Sequence, residues 1–520
     1  MERKLGWRDH IVINIQWFGL NMTTGTLTPL LLPYLVALFV HENQKNTSLA
    51  TIRVASLAVA MLVQPIVGML SDRSTHPWGR RRPFILLGTV LTIFSLMIVA
   101  ATPIISAPDL DSYFQSHFGV PLAFALLLVG IVLVQASLNI VFGALIGLIP
   151  DLVPEKQRGR SSGLKAVLEL LPAFLAIPIG IFIDQGRIGL VIGLVMSALL
   201  ITMLITMRFV DEKQSAGAAH GHIYRYLLRI AALTLIFVFV TQLAVWIIRT
   251  GGTLIQDQRV SFNLQVVVIG IAGMITMAGA IFLGVYFGAA VGIGRKARQQ
   301  MSFIWWVINR LLFLAAVGSI QGFALFYMRD YLLMSDPATK TSVLFAAVGI
   351  FLIPSALAGG YLADYRVAGG EHSGALRAGL ARLITTLQLH RLGRKGLVAL
   401  AGIICTVGTL LLLIASDFPM VILSGCILGI GTGVFMATNW ALGTDLVPAN
   451  EAGRYLGISN LAGAGAGIVG VGIGGPIADF FNRQEPGLGY LVIFSIYAVL
   501  FLLSVLALSR IKIPQRYPAS

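Results

Sequence analysis

The sequence predicts an all-α polytopic membrane protein with about 14 transmembrane helices, and three observations lead to this fold class. Of the 520 residues, 57% are hydrophobic and only 11% are charged, whereas a soluble domain carries roughly a quarter charged residues. The apolar residues are gathered into long runs, and Lys and Arg are concentrated between these runs. The net charge of +15 therefore indicates loops at a membrane surface rather than a nucleic-acid partner.

Each predicted span is an apolar run of about 20 residues or more, which is the length that crosses the hydrocarbon core. The order is six spans, then two, then six. The runs lie near residues 11–40, 49–70, 83–105, 119–150, 162–183, 186–210, 226–248, 264–292, 301–328, 342–363, 397–416, 418–447, 454–481 and 487–510.

The basic residues predict the orientation of these spans. With the amino terminus inside, 28 of the 37 Lys and Arg residues fall in inner segments and 8 fall in outer segments. Arg53 is counted here with the outer segments, and Arg310 alone lies deep within a span. Because inner loops of membrane proteins are enriched in Lys and Arg, we expect a multi-pass protein of the plasma (inner) membrane with both termini cytoplasmic. The first run has no small-residue cleavage site, so it is predicted to be a retained helix.

A repeated motif divides the chain into two halves. Both copies read Asp-Leu-Val-Pro, followed by Gly-Arg and then Gly, and they begin at Asp151 and Asp445, 294 positions apart. Such parallel repeats are typical of transporters whose halves move around a site near the membrane midplane. The predicted domains are a first six-helix bundle (1–210), an inserted hairpin (211–300) and a second bundle (301–520). The second bundle has an enlarged inner loop (365–396), which is predicted to form an amphipathic helix on the membrane surface.

The loop after the second span carries the most specific motif, Gly68-Met-Leu-Ser-Asp72-Arg73 followed by Trp78-Gly79-Arg80-Arg81-Arg82-Pro83. It resembles the signature inner loop of the major facilitator superfamily. The resemblance implies that fold, with two six-helix bundles, and implies that pairing of Asp72 with a basic group latches the inner face closed. A small residue such as Gly68 also lets two helices approach closely.

The same resemblance supplies the other candidate gating residues. Asp364 is expected to pair with Arg394, and Asp445 with Arg454; the alternative is that these loops only fix the topology. The full set is Gly68, Asp72, Arg73, Gly79, Arg80, Arg81, Asp151, Arg158, Arg160, Asp364, Arg394, Asp445 and Arg454.

A finer resemblance covers the first three spans. Val63-Gln-Pro-Ile-Val-Gly68 and the basic loop after it look similar to the glycoside–pentoside–hexuronide and sucrose-carrier branch. The chain departs from that pattern at Ile146, where sucrose carriers place an arginine. It also lacks the aspartates that melibiose-type members use for cation coupling in the first two spans. A sugar as solute, and a proton or sodium ion as driver, are both left open by these departures.

Two charged residues fall at predicted membrane depth, where charge is costly and usually functional. Arg310 would anchor an anionic or hydroxyl-rich solute, or else be a buried arginine that bonds helix carbonyls or reaches the headgroups. Glu169 is the candidate proton-coupling carboxylate, and the alternative is an i,i+4 ion pair with Lys165.

Uncharged amides in the spans would complete a solute site, although such groups often only bridge helices. Trp17, Trp305, Trp306 and Trp440 are predicted either to stack on sugar rings or to lie in interfacial belts. The candidate solute-binding set is Gln16, Asn21, Gln135, Asn139, Arg310, Gln321 and Asn439.

Three functions fit these residues. The first is a secondary active or facilitative transporter of a sugar-like solute by alternating access. The second is efflux of lipophilic compounds, and the third is a non-transporting pigment- or lipid-handling assembly protein on the same fold. The sequence has no Walker lysine loop, dinucleotide fingerprint, HExxH or Cys/His cluster, so it predicts neither an enzyme nor a cofactor or metal site. The expected partners are a small-molecule solute, a coupling proton or sodium ion and membrane lipids, with the chain as a monomer and without nucleic acid.

Overall fold

The computed structural model describes residues 5–105, 108–212, 223–257, 261–292, 294, 300–364, 392–447 and 452–512. All regular structure within these ranges is helical, which confirms the all-α class. Fourteen helices in the same ranges are long and apolar enough to cross a membrane, so the predicted number of spans is confirmed. The predicted amphipathic helix in the loop 365–396 lies almost entirely outside the described residues.

We number the membrane helices in chain order. Their bounds are α1 Trp7–Thr26 with Leu32–Phe39, α2 Lys45–Asp72, α3 Arg82–Ile105, α4 Leu122–Leu145, α5 Arg158–Leu170 with Pro172–Asp184, α6 Ile188–Phe209, α7 Ile223–Asp257, α8 Phe262–Gly292, α9 Met301–Phe326, α10 Pro337–Asp364, α11 Gly393–Leu413, α12 Phe418–Leu446, α13 Ala452–Asn482 and α14 Leu488–Leu508.

Several helices are less regular than the apolar runs predict. The two parts of α1 are joined by a π-helical turn, Leu27–Leu31, which contains Pro29. Proline lacks an N–H and clashes with the preceding turn, so a wider turn accommodates it. The two parts of α5 meet at Pro172 for the same reason. A short helix, Pro108–Phe118, lies between α3 and α4, where the hydropathy pattern gives no signal.

The chain divides into two compact units. Unit 1 is Met1–Thr234 with Gly322–Arg329 and Leu333–Val343, so it contains α1–α6 and the segments that flank the α9–α10 connection. Within it, α4 packs against α2 and α3, and α1 packs against α5 and α6. A Cβ at Gly143 of α4 would lie 2.6 Å from the carbonyl oxygen of Gln64 in α2. The glycine therefore sets the spacing of these two helices.

Unit 2 is Leu235–Gln321 with Asp330–Leu332 and Leu344–Ser520. In it α11 packs against α12 and α14, and α8 of the inserted hairpin packs against α13 and α14. The fully buried ring of Phe237 in α7 fills the space that Cβ atoms at Gly284 of α8 and Gly465 of α13 would occupy, at 2.5 and 2.7 Å. The hairpin is thus packed into unit 2 through glycine positions.

Candidate functional site

A hydrogen-bonded chain of polar side chains crosses the interior of unit 2. Nη1 of Arg310 in α9 lies 3.5 Å from Oδ1 of Asn439 in α12, and Nδ2 of Asn439 donates to Oδ1 of Asn309 at 2.7 Å. Nδ2 of Asn309 then donates to the carbonyl and hydroxyl oxygens of Ser504 in α14, both at 2.8 Å. All four residues are buried. Three helices therefore hold the Arg310 guanidinium in a defined place.

Two tryptophans complete the surroundings of Arg310. The guanidinium carbon lies 5.0 Å from the ring centroid of Trp440 and 6.0 Å from that of Trp306, which are cation–π distances. Nε1 of Trp306 donates to the carbonyl of Asn439 at 3.0 Å, and Gly443 leaves the space that its ring occupies. Aromatic faces next to hydrogen-bonding groups suit a solute with both hydroxyl and C–H surfaces.

The structure brings only part of the predicted solute set together. Arg310 and Asn439 meet, but Gln321 is exposed and lies eleven residues from Arg310 along α9, about 16 Å away at the α-helical rise. In unit 1, Nδ2 of Asn139 donates to the backbone carbonyl of Gln135 at 2.7 Å. Asn21 likewise bonds the carbonyl of Trp17 at 2.9 Å, and Gln16 bonds the hydroxyl of Thr89 at 3.3 Å. These amides thus use part of their hydrogen-bonding capacity within or between helices.

The charged pair predicted in α5 is present. Nζ of Lys165 lies 3.2 Å from a carboxylate oxygen of Glu169 and 4.0 Å from the ring centroid of Trp17 in α1. The Trp17 ring in turn lies 5.6 Å from that of Phe142 in α4. The ion pair on α5 therefore contacts the buried Trp17 ring, which lies next to Phe142 of α4.

The signature loop forms an ionic cluster in unit 1. Asp151 accepts from Nε of Arg80 at 3.0 Å and from Nε of Arg81 at 2.9 Å, and Arg81 also pairs with Asp72. The hydrogen bond to Asp151 raises the pKa of Arg80, so Arg80 remains charged. A Cβ at Gly147 would overlap the Arg81 guanidinium, which explains a glycine there. Gly68 meets Gly143, with 3.6 Å from its would-be Cβ to the Gly143 carbonyl oxygen.

Glu212, which the sequence analysis missed, holds the backbone of this loop. Its carboxylate accepts from the backbone N–H of Arg81 at 3.0 Å and from that of Arg82, the first residue of α3, also at 3.0 Å. Gly79 has a φ of +98°, and a Cβ there would overlap Glu212. Burial raises the pKa of the Glu212 carboxyl. No local pattern signals this contact, because Glu212 follows α6, 131 positions after Arg81.

The other predicted gating residues are placed as follows. Arg394 pairs with Asp445 at 2.7 Å, a pair that the sequence did not predict, and the expected pairs Arg394–Asp364 and Asp445–Arg454 stay predictions. The observed pair repeats Arg80–Asp151 of the first half. Arg158 is exposed and donates to the carbonyls of Val153 and Pro150, and Arg160 is exposed. Arg73 is half-buried. The side chains of Asp364 and Arg454 lie outside the described residues.

A second arginine within a span, Arg53, is half-buried. Arg53 lies eight residues after Lys45, the start of α2, or about 12 Å along the helix, and not in an outer segment as counted above. Its Nε is buried and has no hydrogen-bond partner. Arg310 is therefore not the only arginine within a span.

Polar contacts also join helix ends at the opposite end of unit 1 from the signature loop. The Asp184 carboxylate at the end of α5 accepts from the N–H groups of Ala338 at 3.0 Å and Thr339 at 2.7 Å. It therefore caps the first turn of α10. Glu42, which precedes α2, pairs with Arg329 at 2.6 Å and also with Lys45. Neither contact follows from a local sequence pattern.

Comparison with known proteins gives a family match over most of the chain and individual relatives over shorter segments. The sequence model of the Major Facilitator Superfamily matches residues 17–304 and 373–520. The general alpha-glucoside permease of Schizosaccharomyces pombe is 29% identical over 176 residues, which is 32% of this chain and 30% of that protein. The sucrose transport protein SUT1 of Oryza sativa subsp. japonica is 36% identical over 98 residues, 18% of each chain. The matches thus span less than a third of these relatives.

Solved structures share the fold across 97% of this chain. A mutant of the peptide transporter POT covers 97% of this chain and 95% of its own, with a TM-score of 0.61 and 13% identity. A mutant of the nucleoside transporter NupG covers 97% of this chain and 99% of its own, with a TM-score of 0.58 and 10% identity. At such identities the likeness concerns the fold alone.

Proposed function

We propose that this chain, which belongs to the major facilitator superfamily, transports a small, sugar-like solute by alternating access. The observation that carries the proposal is the buried chain Arg310–Asn439–Asn309–Ser504 beside Trp306 and Trp440. Amide and guanidinium groups bind hydroxyl oxygens, and indole faces cover the C–H surface of a sugar ring. A site for lipophilic compounds would not need a desolvated guanidinium, which is costly to bury.

The names of the relatives support the same solute class. An alpha-glucoside permease and sucrose transport proteins match the chain over limited segments. The peptide and nucleoside transporters resemble it only in fold and therefore do not bear on the solute.

We assign the gating role to the ionic cluster of the signature loop. Arg81 is bound by Asp72 and Asp151 at its side chain and by Glu212 at its backbone. Breaking and re-forming these pairs would couple α2, α3 and α4 during the cycle. The pair Arg394–Asp445 would serve the second half in the same way.

Coupling to a proton would use Glu169. Its ionised form is held by Lys165 at 3.2 Å, and protonation would release Lys165 next to Trp17. Coupling to sodium is the alternative. Uptake measured under a proton gradient and under a sodium gradient distinguishes the two. The bias of Lys and Arg supports cytoplasmic termini, and we expect the monomer in the plasma (inner) membrane to be the working unit.

The test is a thermal-shift screen of the purified protein, followed by uptake into proteoliposomes. A ligand that binds only the folded state raises its melting temperature. We expect hydroxyl-rich solutes to raise Tm in the wild type and to do so less in Asn439→Ala. Shifts from lipophilic compounds alone would favour efflux. Binding without uptake under any gradient would favour the non-transporting alternative.

A further inference from the structure

Arg310 is a fixed positive charge that no acidic side chain among the described residues neutralises. It lies nine residues into α9, about 14 Å from the start of the helix, in a hydrocarbon core of about 30 Å. Its side chain is 9% exposed, and no carboxylate among the described residues pairs with it. Two acids of unit 2 have other partners: Asp330 accepts from the hydroxyl of Tyr490, and Asp445 pairs with Arg394.

The lipid headgroups do not account for this charge. A snorkelling arginine extends its side chain toward the membrane surface and exposes its head. Arg310 instead lies against Trp440 and Trp306 within unit 2 and is tied to Asn439. Its position is therefore maintained by the fold despite the cost of an unpaired charge in a membrane.

The side chain of Arg310 has more hydrogen-bond donors than its surroundings provide acceptors. A guanidinium has five N–H donors and no acceptor, and Nε of Arg310 is buried without a partner. Its bond to Asn439 is long, at 3.5 Å. The side chains of Asn439 and Asn309 both donate away from Arg310, toward Ser504. These hydrogen-bonded residues therefore offer Arg310 a neutral acceptor and no negative charge. A carboxylate accepts two parallel N–H bonds from a guanidinium and would supply that charge.

Unit 1 contains a second arginine that independently indicates a negatively charged solute. Arg53 is also within a span, has a buried Nε without a partner, and is not paired with an acid among the described residues. The other cation of α2, Lys45, is neutralised by Glu42, and Lys165 is neutralised by Glu169. In the part of the chain that the structure describes, each unit thus contains an unneutralised arginine at membrane depth, which favours an anion over a cation or a neutral molecule.

We propose that the transported solute is an organic anion, a hydroxylated carboxylate whose carboxylate group is bound by Arg310. This inference rests on the proposed function and narrows its solute class. The hydroxyl groups would bind near the amides of Asn439 and Asn309, and the apolar face would lie against Trp440.

The experiment compares matched anionic and neutral probes by thermal shift of the wild-type protein at constant ionic strength. The pairs are D-glucuronate with D-glucose and D-gluconate with sorbitol, and D-glucose 6-phosphate and acetate complete the set. We expect at least one carboxylate to bind about 10-fold or more tightly than its neutral partner, because hydrogen bonds between charged partners are stronger than neutral ones. Acetate should not match it, since it lacks the hydroxyl groups.

Variants locate the effect at Arg310. Arg310→Gln retains a donor for Asn439. It should weaken the binding of the carboxylate probe about 10- to 100-fold and change the binding of the neutral probe far less. Arg310→Lys keeps the charge but not the planar arrangement of N–H donors. Its affinity for the carboxylate should lie between those of the wild type and Arg310→Gln. Arg249→Gln, at an exposed arginine of α7, is the matched control and should change neither affinity.

The outcomes separate this inference from the proposed function. Neutral sugars that bind as tightly as their acids would overturn the anion inference and leave the sugar transporter intact. Tighter binding of D-glucose 6-phosphate than of either carboxylate would overturn the carboxylate assignment. A carboxylate effect unchanged in Arg310→Gln would overturn the role of Arg310. An absence of binding by every probe would overturn the inference and the proposed function together.

Discussion

Replacing Glu212 by alanine tests how the signature loop is held. The carboxylate accepts the N–H groups of Arg81 and Arg82 and is 7% exposed, so water cannot readily replace it. An unsatisfied buried donor costs about 1–3 kcal/mol, and loss of a helix cap costs about 0.5–2 kcal/mol. The cost of burying the charged carboxylate offsets part of this. We therefore expect a loss of about 1–3 kcal/mol, taking these ranges together.

The expected change in melting temperature follows from the size of the chain. At roughly 2.1 cal/mol/K of unfolding entropy per residue, 520 residues give about 1.1 kcal/mol/K, so Tm should fall by about 1–3 °C. Uptake should fall more than Tm implies, because Arg81 loses its backbone anchor. Glu155→Ala, at an exposed acid, is the control. A Glu212→Ala protein with wild-type Tm and wild-type uptake would refute the anchoring role.

The pH dependence of Glu212 has a definite sign. Its pKa in the folded protein is raised above 4.5, chiefly by burial. At pH values between 4.5 and this raised pKa, the folded state therefore binds more protons than the unfolded state. Stability therefore falls as the pH rises through this window and recovers on acidification toward 4.5. The Tm of the wild type relative to that of Glu212→Gln should accordingly increase as the pH is lowered across the window. An opposite slope would contradict the dominance of burial.

Three further changes test the packing, pairing and coupling. Gly143→Ala must push α4 away from α2 and should destabilise by about 1–3 kcal/mol, whereas Gly163→Ala, with nothing within 4 Å, should leave Tm unchanged; equal effects would exclude a close-approach role. A double-mutant cycle on Arg394 and Asp445 should give a coupling of about 0.5–1 kcal/mol, since the pair is partly exposed, and a coupling of zero would show that the pair does not contribute. Glu169→Gln should abolish uptake driven by a proton gradient but retain solute exchange; gradient-driven uptake by this variant would exclude Glu169 as the proton carrier.

The features that sequence predicted well are those encoded locally. Fourteen spans follow from runs of apolar residues, and the ionic cluster follows from the loop Gly68–Arg82, where Asp72 and Arg81 are close in sequence. The missed features depend on distant contacts or on helix ends. Glu212 reaches its partners only after α6 returns to α3. Arg53 lies only four residues after the start of the predicted run 49–70, which indicates an outer position, whereas α2 begins at Lys45 and so places Arg53 eight residues into the helix.

The residues predicted to bind the solute are only partly brought together, for a related reason. Periodicity gives the face of a helix, but not which helix packs against that face. Gln321 shares a helix with Arg310 and yet is exposed, whereas Asn309 and Ser504, which were not predicted, complete the polar chain. Neither has a local motif, and both became evident only from the packing of α9 against α12 and α14.

The docking of the inserted hairpin has a consequence for the boundary between protein and lipid. Lipid tails are as apolar as the side chains they replace, so no hydrophobic force holds α7 and α8 to unit 2. Their attachment depends on shape, with Phe237 filling the hollows at Gly284 and Gly465 and Ile477 filling that at Gly273. A chain shortened to twelve helices would therefore expose a grooved surface of α13, which flexible acyl chains fill less well than an aromatic ring. The glycines of α13 suit a helix that is shielded from the bilayer, so removal of the hairpin should make the protein sensitive to lipid chain length.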